Sequence, residues 1–158
     1  MAVEVGQPAP DVTLVNYDRK PAKLSELRGK PTVLLFFPAA YSATCTKEMC
    51  TFRDGLATYG KLNAQVVGIS VDMPYSQKAF ADQNGLSFPL LSDYNREAVR
   101  AFGVQDPNFV GGLLPGVAMR SVFVLDRQGV VRYKWVADKP GTEPDYAAVE
   151  AVVRALGN

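Results

Sequence analysis

The sequence contains no histidine. That absence removes every Cys-His pair and every Ser-His-Asp triad, and it argues against zinc hydrolase chemistry. An activated nucleophile in this chain must instead rely on a helix dipole, arginine or lysine. Cysteine is almost absent too. There are two, too few for a disulfide framework. Without histidine they also fall short of the four ligands of a structural zinc site, so no metal is expected. No charge of one sign dominates: 17 basic residues face 16 acidic ones, with no basic tail, so nucleic acid is not an expected partner. No apolar run approaches the roughly 18 residues of a membrane span, so no membrane partner is expected. Met1–Gly6 lacks a basic region followed by an apolar run. No secretory signal is expected, and the expected location is cytoplasmic. In a reducing compartment a cysteine pair is more usually transient and catalytic than structural.

What is present reads as an α/β protein. Its 158 residues, 47% apolar and 21% charged, suit one domain over residues 1–158 with a sizeable core. Residues 1–30 form an irregular lead-in with a short strand at Val12–Val15 and one helical turn at Ser25–Lys30. Thr32–Phe37 is a continuous apolar run, which suits a central strand covered on both faces. Met49, Phe52, Leu56 and Tyr59 recur at three- and four-residue spacing, predicting a helix over 44–59 that stops at Gly60. Gln65–Val71 is a second strand, and a helix capped by Asp72 runs to Asn84-Gly85. Phe88–Leu91 is a third strand, followed by a helix from Asp93 to Phe102. Residues 104–118 are rich in glycine and proline and long for a connection. Arg120–Asp126 and Val130–Trp135 form a hairpin, and a last helix presents Tyr146, Val149, Val153 and Leu156. Early alternation implies parallel strands with crossover helices, and the final hairpin implies an antiparallel addition. The sheet is therefore mixed, with helices on both faces.

The chemistry concentrates in residues 37–50, which hold both cysteines. Cys45 follows a buried strand and a proline-led loop, and it stands at a helix start. Unpaired N–H groups and the positive end of the helix dipole favour a thiolate there. The alternative is that Cys45 is a small buried hydrophobe. Ser42 and Thr44 are hydroxyl groups able to cap the helix or hydrogen-bond the sulfur. Tyr41 and Phe109 border a pocket or a dimer contact, Tyr133 and Trp135 read as packing residues, and Arg132, Lys134 and Lys139 read as a solvated face.

Pro38-x-x-x-Ser42-x-x-Cys45 resembles the peroxiredoxin signature of Pro, three residues, Thr or Ser, two residues and Cys. The likeness extends to Gly6–Asp11, Leu24–Lys30 and Arg120–Asp126, and so over nearly the whole chain. It implies a thioredoxin-like fold with an N-terminal extension and an antioxidant reaction, reduction of hydrogen peroxide or organic hydroperoxides by a thiolate that becomes sulfenic acid. On that resemblance Cys45 is the peroxidatic cysteine, Ser42 stands where Thr is usual and bonds the peroxide, Pro38 shields the thiolate, and Arg120 sits against sulfur and peroxide. Glu48 helps hold that arginine; read alone, it is an acidic residue favourable to the first helical turn. Donors aimed at the leaving oxygen are worth roughly 3–4 kcal/mol each.

Cys50 lies five residues after Cys45, as in the bacterioferritin-comigratory (Q-type) peroxiredoxins, where it resolves the sulfenic acid and thioredoxin or a similar dithiol reduces the disulfide. Helix geometry sets a condition on that role. Five residues put the Cα atoms roughly 9 Å apart, whereas a disulfide needs about 4.4–6.8 Å. The segment around residues 42–52 must therefore unwind. The alternatives are a one-cysteine peroxiredoxin resolved by an external thiol, a thioredoxin-like disulfide oxidoreductase (disfavoured, because four residues separate the cysteines) and a non-enzymatic chaperone module. The resemblance implies no metal or organic cofactor, and either a monomer or a homodimer.

Overall fold

A computed structural model describes residues 2–157. Nine strands, four α-helices and one short 3-10 helix, Leu24–Leu27, occur among them: β1 Thr13–Val15, β2 Pro21–Lys23, β3 Thr32–Phe36, α1 Ala43–Lys61, β4 Gln65–Ser70, α2 Pro74–Asn84, β5 Leu90–Ser92, α3 Glu97–Ala101, β6 Gln105–Asp106, β7 Val117–Ala118, β8 Ser121–Leu125, β9 Val131–Val136 and α4 Tyr146–Ala155. Seven strands form one sheet in the order β2-β1-β5-β4-β3-β8-β9. β3, β4 and β5 are parallel, and β8 runs antiparallel to β3 and continues into β9. The mixed sheet expected from the alternating pattern is the one observed.

All five residues of β3 are buried. Their alternation divides the core, because successive side chains point to opposite faces. Val33 and Leu35 join Phe52 of α1, Phe80 of α2 and Val149 and Val153 of α4. Leu34 and Phe36 join Val67, Ile69, Phe123 and, from α3, Ala98 and Val99. Tyr133 and Trp135 pack against the first of these clusters.

Several local expectations shift. Helix α1 passes through Gly60 to Lys61, and the left-handed turn is taken instead by Asn63, at φ 56°. Asp72 does not cap α2; Met73 occupies that position without a side-chain cap. Asp93 does serve its helix from a distance, accepting from Ala98 N (3.0 Å) and Val99 N (2.9 Å), but α3 is only five residues long. The third strand begins at Leu90, after Pro89, which has no N–H to donate. The lead-in contributes a hairpin, β1–β2, whose Val15 pairs with Ser92. The irregular 104–118 stretch is closed by a two-residue ladder, β6–β7.

The topology fixes the site. β3 ends where Pro38 interrupts the ladder, and Phe36 pairs with Ser121 across the sheet. The residue before Ser121 is Arg120, so this arginine emerges beside the start of α1.

Gly68 on β4 shows how tightly that start is seated. A Cβ here would overlap the Leu90 side chain and lie 3.3 Å from Phe37, the last residue before the loop. Gly68→Ala is therefore expected to lower stability by about 1–3 kcal/mol. Urea unfolding followed by circular dichroism would measure it; an unchanged midpoint would contradict this close fit.

Candidate active site

Ser42 is the N-cap of α1, and its Oγ accepts from Cys45 N at 3.3 Å. Its carbonyl accepts from Thr46 N (2.9 Å) and Thr46 Oγ1 (2.8 Å). Cys45 is thus the third residue of the helix, within the turn where N–H groups are unpaired and the dipole is positive. The thiol is free and fully buried.

Arg120 enters from the edge of β8. Its Nη2 donates to Cys45 Sγ at 3.3 Å, its Nη1 to Glu48 Oε1 at 2.8 Å, and its Nε and Nη2 to the Pro140 carbonyl at 3.1 and 2.8 Å. The side chains of Arg120 and Glu48 are 1% and 0% exposed. A buried cation against a buried sulfur stabilises a thiolate. Burial works against the charge on Arg120, but Cys45 and Glu48 outweigh it, and its pKa is raised above the ordinary value.

Glu48 is the less comfortable partner. Burial pushes its carboxyl up to about 7; Arg120 lowers it without compensating, and Glu143 nearby raises it further. The guanidinium is shared among three acceptors, and among the described residues Glu48 Oε2 has no hydrogen-bond partner. Glu143 in turn pairs with Lys47 of α1 at 3.0 Å and accepts from Tyr146 OH at 2.7 Å. These contacts tie the β9–α4 loop, which supplies the Pro140 carbonyl, to the first turns of α1.

Pro38 is buried beside the loop and, with Arg120, lines a cavity of about 270 Å³. Its other walls include Asp106, Pro107, Asn108 and Lys139, so Lys139 belongs to the cavity and not only to a solvated face. Neither Tyr41 nor Phe109 lines it. Tyr41 is exposed and meets Phe80 edge-on at 5.2 Å. Arg132 pairs with Asp126 and Lys134 with Glu4.

The structure thus brings together Pro38, Ser42, Cys45, Glu48 and Arg120. Cys50 stands apart. It lies on the same unbroken helix, half-buried, and its Sγ points to Asn84 Oδ1 of α2 at 3.7 Å. Pro140, Glu143 and Lys47 escaped the sequence reading. A main-chain acceptor leaves no trace in residue identity, and the Lys47–Glu143 pair spans most of the chain. Among the described residues no cluster of three or more thiol and carboxylate groups could hold a metal ion.

Comparison with known proteins agrees with this geometry. The AhpC/TSA family profile matches residues 5–134. Chloroplastic peroxiredoxin Q of Triticum aestivum is 44% identical over 131 residues, covering 83% of this chain and 58% of the relative. The Populus jackii counterpart is 45% identical over 130 residues, covering 82% and 59%. The chain therefore spans about three fifths of the length of these plant relatives. Among solved structures, peroxidoxin BcpB of Mycobacterium tuberculosis superposes with a TM-score of 0.85 at 31% identity over 99% of each chain. A peroxiredoxin-like protein of Aquifex aeolicus gives 0.89 at 25% identity, covering 99% of this chain and 89% of the other. The shared fold is thioredoxin-like, as the resemblance implied.

The raised carboxyl of Glu48 has a measurable sign. The folded protein holds a proton there that the unfolded chain, near the ordinary value of 4.5, releases earlier. Stability from this group is complete below about pH 4.5 and is lost as pH rises through about 7, by up to roughly 3 kcal/mol. Urea unfolding of the reduced protein between pH 5 and 8 should show that slope. Glu48→Gln should flatten it; an identical slope in the variant would mean that another group carries it.

Proposed function

The chain belongs to the AhpC/TSA family, the peroxiredoxins, and on that basis we propose that it is a thiol-dependent peroxidase acting on hydrogen peroxide and organic hydroperoxides. The observation that carries the reading is the 3.3 Å contact between Arg120 Nη2 and Cys45 Sγ at a helix N-terminus.

The first step is a displacement at oxygen. Cys45 thiolate attacks the terminal oxygen of ROOH, the S–O bond forms as the O–O bond breaks, and RO⁻ leaves and takes a proton to become ROH. The sulfur is oxidised to sulfenic acid. Arg120 and the Ser42 hydroxyl, whose oxygen accepts from the Cys45 N–H, are the donors near the developing charge. Donors fixed before the reaction stabilise it without reorganisation. Pro38 limits water at the sulfur, and Glu48 holds the guanidinium in place. The substrate enters by the cavity bordered by Pro38 and Arg120.

In the second step Cys50 condenses with the sulfenic acid, giving a Cys45–Cys50 disulfide and water. Thioredoxin or a similar dithiol then reduces that bond and is itself oxidised. The intact helix sets the two Cα atoms roughly 9 Å apart, beyond disulfide reach. The first turns of α1 must unwind before the bond forms. A reducing compartment such as the cytoplasm fits two free thiols that alternate with a transient bond. A second reading, a one-cysteine enzyme resolved by an external thiol, is favoured by the orientation of Cys50 towards Asn84.

Peroxide consumption with thioredoxin and thioredoxin reductase tests the scheme. Cys45→Ser should abolish turnover. Cys50→Ser should still consume about one equivalent of peroxide per chain but turn over at least about ten-fold more slowly with thioredoxin. Non-reducing mass analysis of peroxide-treated wild type should show the Cys45–Cys50 bond. Activity in Cys45→Ser would overturn the nucleophile, and absence of the bond would favour the external-thiol reading.

A further inference from the structure

The loop between β3 and α1 is held from a side that the catalytic constellation does not use. Ala40 N donates to Asp72 Oδ2 at 2.8 Å. Among the described residues this is the one hydrogen bond tying residues 38–41 to a segment beyond the loop and its helix. Asp72 follows β4, the neighbour of β3, and its carboxylate reaches back across the end of the sheet.

The carboxylate is itself fixed. Ser70 Oγ donates to Asp72 Oδ2 at 2.7 Å, and Ser92 Oγ donates to the Asp72 carbonyl at 2.6 Å. Gln77 of α2 donates to Ser70 Oγ at 2.9 Å and to the Leu91 carbonyl at 2.9 Å. Ser70, Gln77 and Ser92 are all at most 1% exposed. A polar network inside the protein fixes geometry through the bonds its members make. Among the described residues Gln77 Oε1 has no partner, and the bond that reaches the loop is the one from Ala40 N to Asp72.

The loop also has something to hold. Tyr41, next to Ala40, lies at φ 72°. L residues adopt this left-handed conformation rarely and at a cost, so the surroundings must impose it. The residue after Tyr41 is Ser42, the N-cap whose oxygen meets Cys45 N. A change of backbone direction at Tyr41 is what turns the chain from the strand into the cap.

We propose that Asp72 is a positioning residue for the peroxidase reaction: by binding the Ala40 amide it holds the strained turn at Tyr41, and through it sets Ser42 and Pro38 about the Cys45 sulfur. This rests on the assignment of Cys45 as the attacking thiolate. Asp72 touches neither sulfur nor substrate. Its effect is on the ordered loop that receives peroxide and not on the intrinsic reactivity of the thiol.

That distinction gives the test. Rapid-quench mass analysis of the Cys45 peptide follows two reactions in wild type, Asp72→Ala and Asp72→Asn: oxidation by hydrogen peroxide and alkylation by iodoacetamide. Asp72→Ala should slow oxidation by roughly 10- to 100-fold, the rate equivalent of one charge-assisted hydrogen bond. Alkylation, which needs no peroxide pocket, should be unchanged or faster. Asp72→Asn keeps a carbonyl oxygen for Ala40 N and Ser70 Oγ, and it should restore oxidation to within about three-fold. If Asp72→Ala does not fold, Ser70→Ala should show the same split at about 3- to 10-fold. Oxidation unchanged in Asp72→Ala would overturn the proposal, as would both reactions falling together. If wild-type Cys45 oxidises no faster than a free thiol, the peroxidase assignment itself fails, a result separate from either.

Discussion

Everything at this site depends on one buried positive charge. Taking a guanidinium out of water costs several kcal/mol, and the folded state keeps it only where acceptors surround it. Arg120 meets three: the Cys45 sulfur, Glu48 and the Pro140 carbonyl. None of these could be lost without leaving the charge less compensated. The demand runs both ways, because the sulfur is dehydrated too and takes its stabilisation from Arg120 and from the helix start. Glu48 carries the imbalance. Its burial pushes its carboxyl up to about 7 even with a cation at 2.8 Å, and among the described residues one of its oxygens has no hydrogen-bond partner.

The fold delivers that arginine through sheet register. Ser121 pairs with Phe36, so Arg120 arrives where β3 gives way to the loop and α1. The β9–α4 loop closes the far side of the guanidinium and is fastened to α1 by Lys47 and Glu143. The network behind Asp72 holds the β3–α1 loop through the Ala40 amide. The site is thus a junction of four segments, each anchored in a different part of the chain. Its rigidity suits attack on peroxide. The proposed second step would ask the opposite of the same residues, since α1 would have to open before Cys50 could reach Cys45. An enzyme working by this cycle alternates between a closed junction that reacts and an opened one that resolves.

Much of this was legible in the sequence. The continuous apolar character of residues 32–37 gave a strand buried on both faces, and the spacing of Met49, Phe52, Leu56 and Tyr59 gave α1. Pro38, Ser42 and Cys45 carried a recognisable spacing, and the resemblance that they support placed Arg120 and Glu48 beside them. What could not be read follows a physical pattern. Pro140 contributes a main-chain carbonyl, which any residue possesses. Asp72 looked like a helix cap, because an aspartate before Met-Pro has that local option; only the folded sheet shows that Ala40 competes for its oxygen and wins. Gly60 looked like a stop, yet the packed helix continued one residue further and left the left-handed turn to Asn63. Local signals were correct where local forces decide, and they failed where a distant segment offered a better partner.

The central claim is that Arg120 serves the reacting sulfur and peroxide, beyond completing a buried ion pair. The most direct measurement is the second-order rate of Cys45 with hydrogen peroxide, set against its rate with a neutral alkylating agent, in wild type and Arg120→Lys. Lysine keeps a positive charge but cannot donate in fork geometry to sulfur, carboxylate and carbonyl together. The account predicts that the peroxide rate falls by at least about 100-fold while alkylation falls far less, because donors aimed at the leaving oxygen are lost. A peroxide rate close to wild type, or equal losses in both reactions, would contradict it.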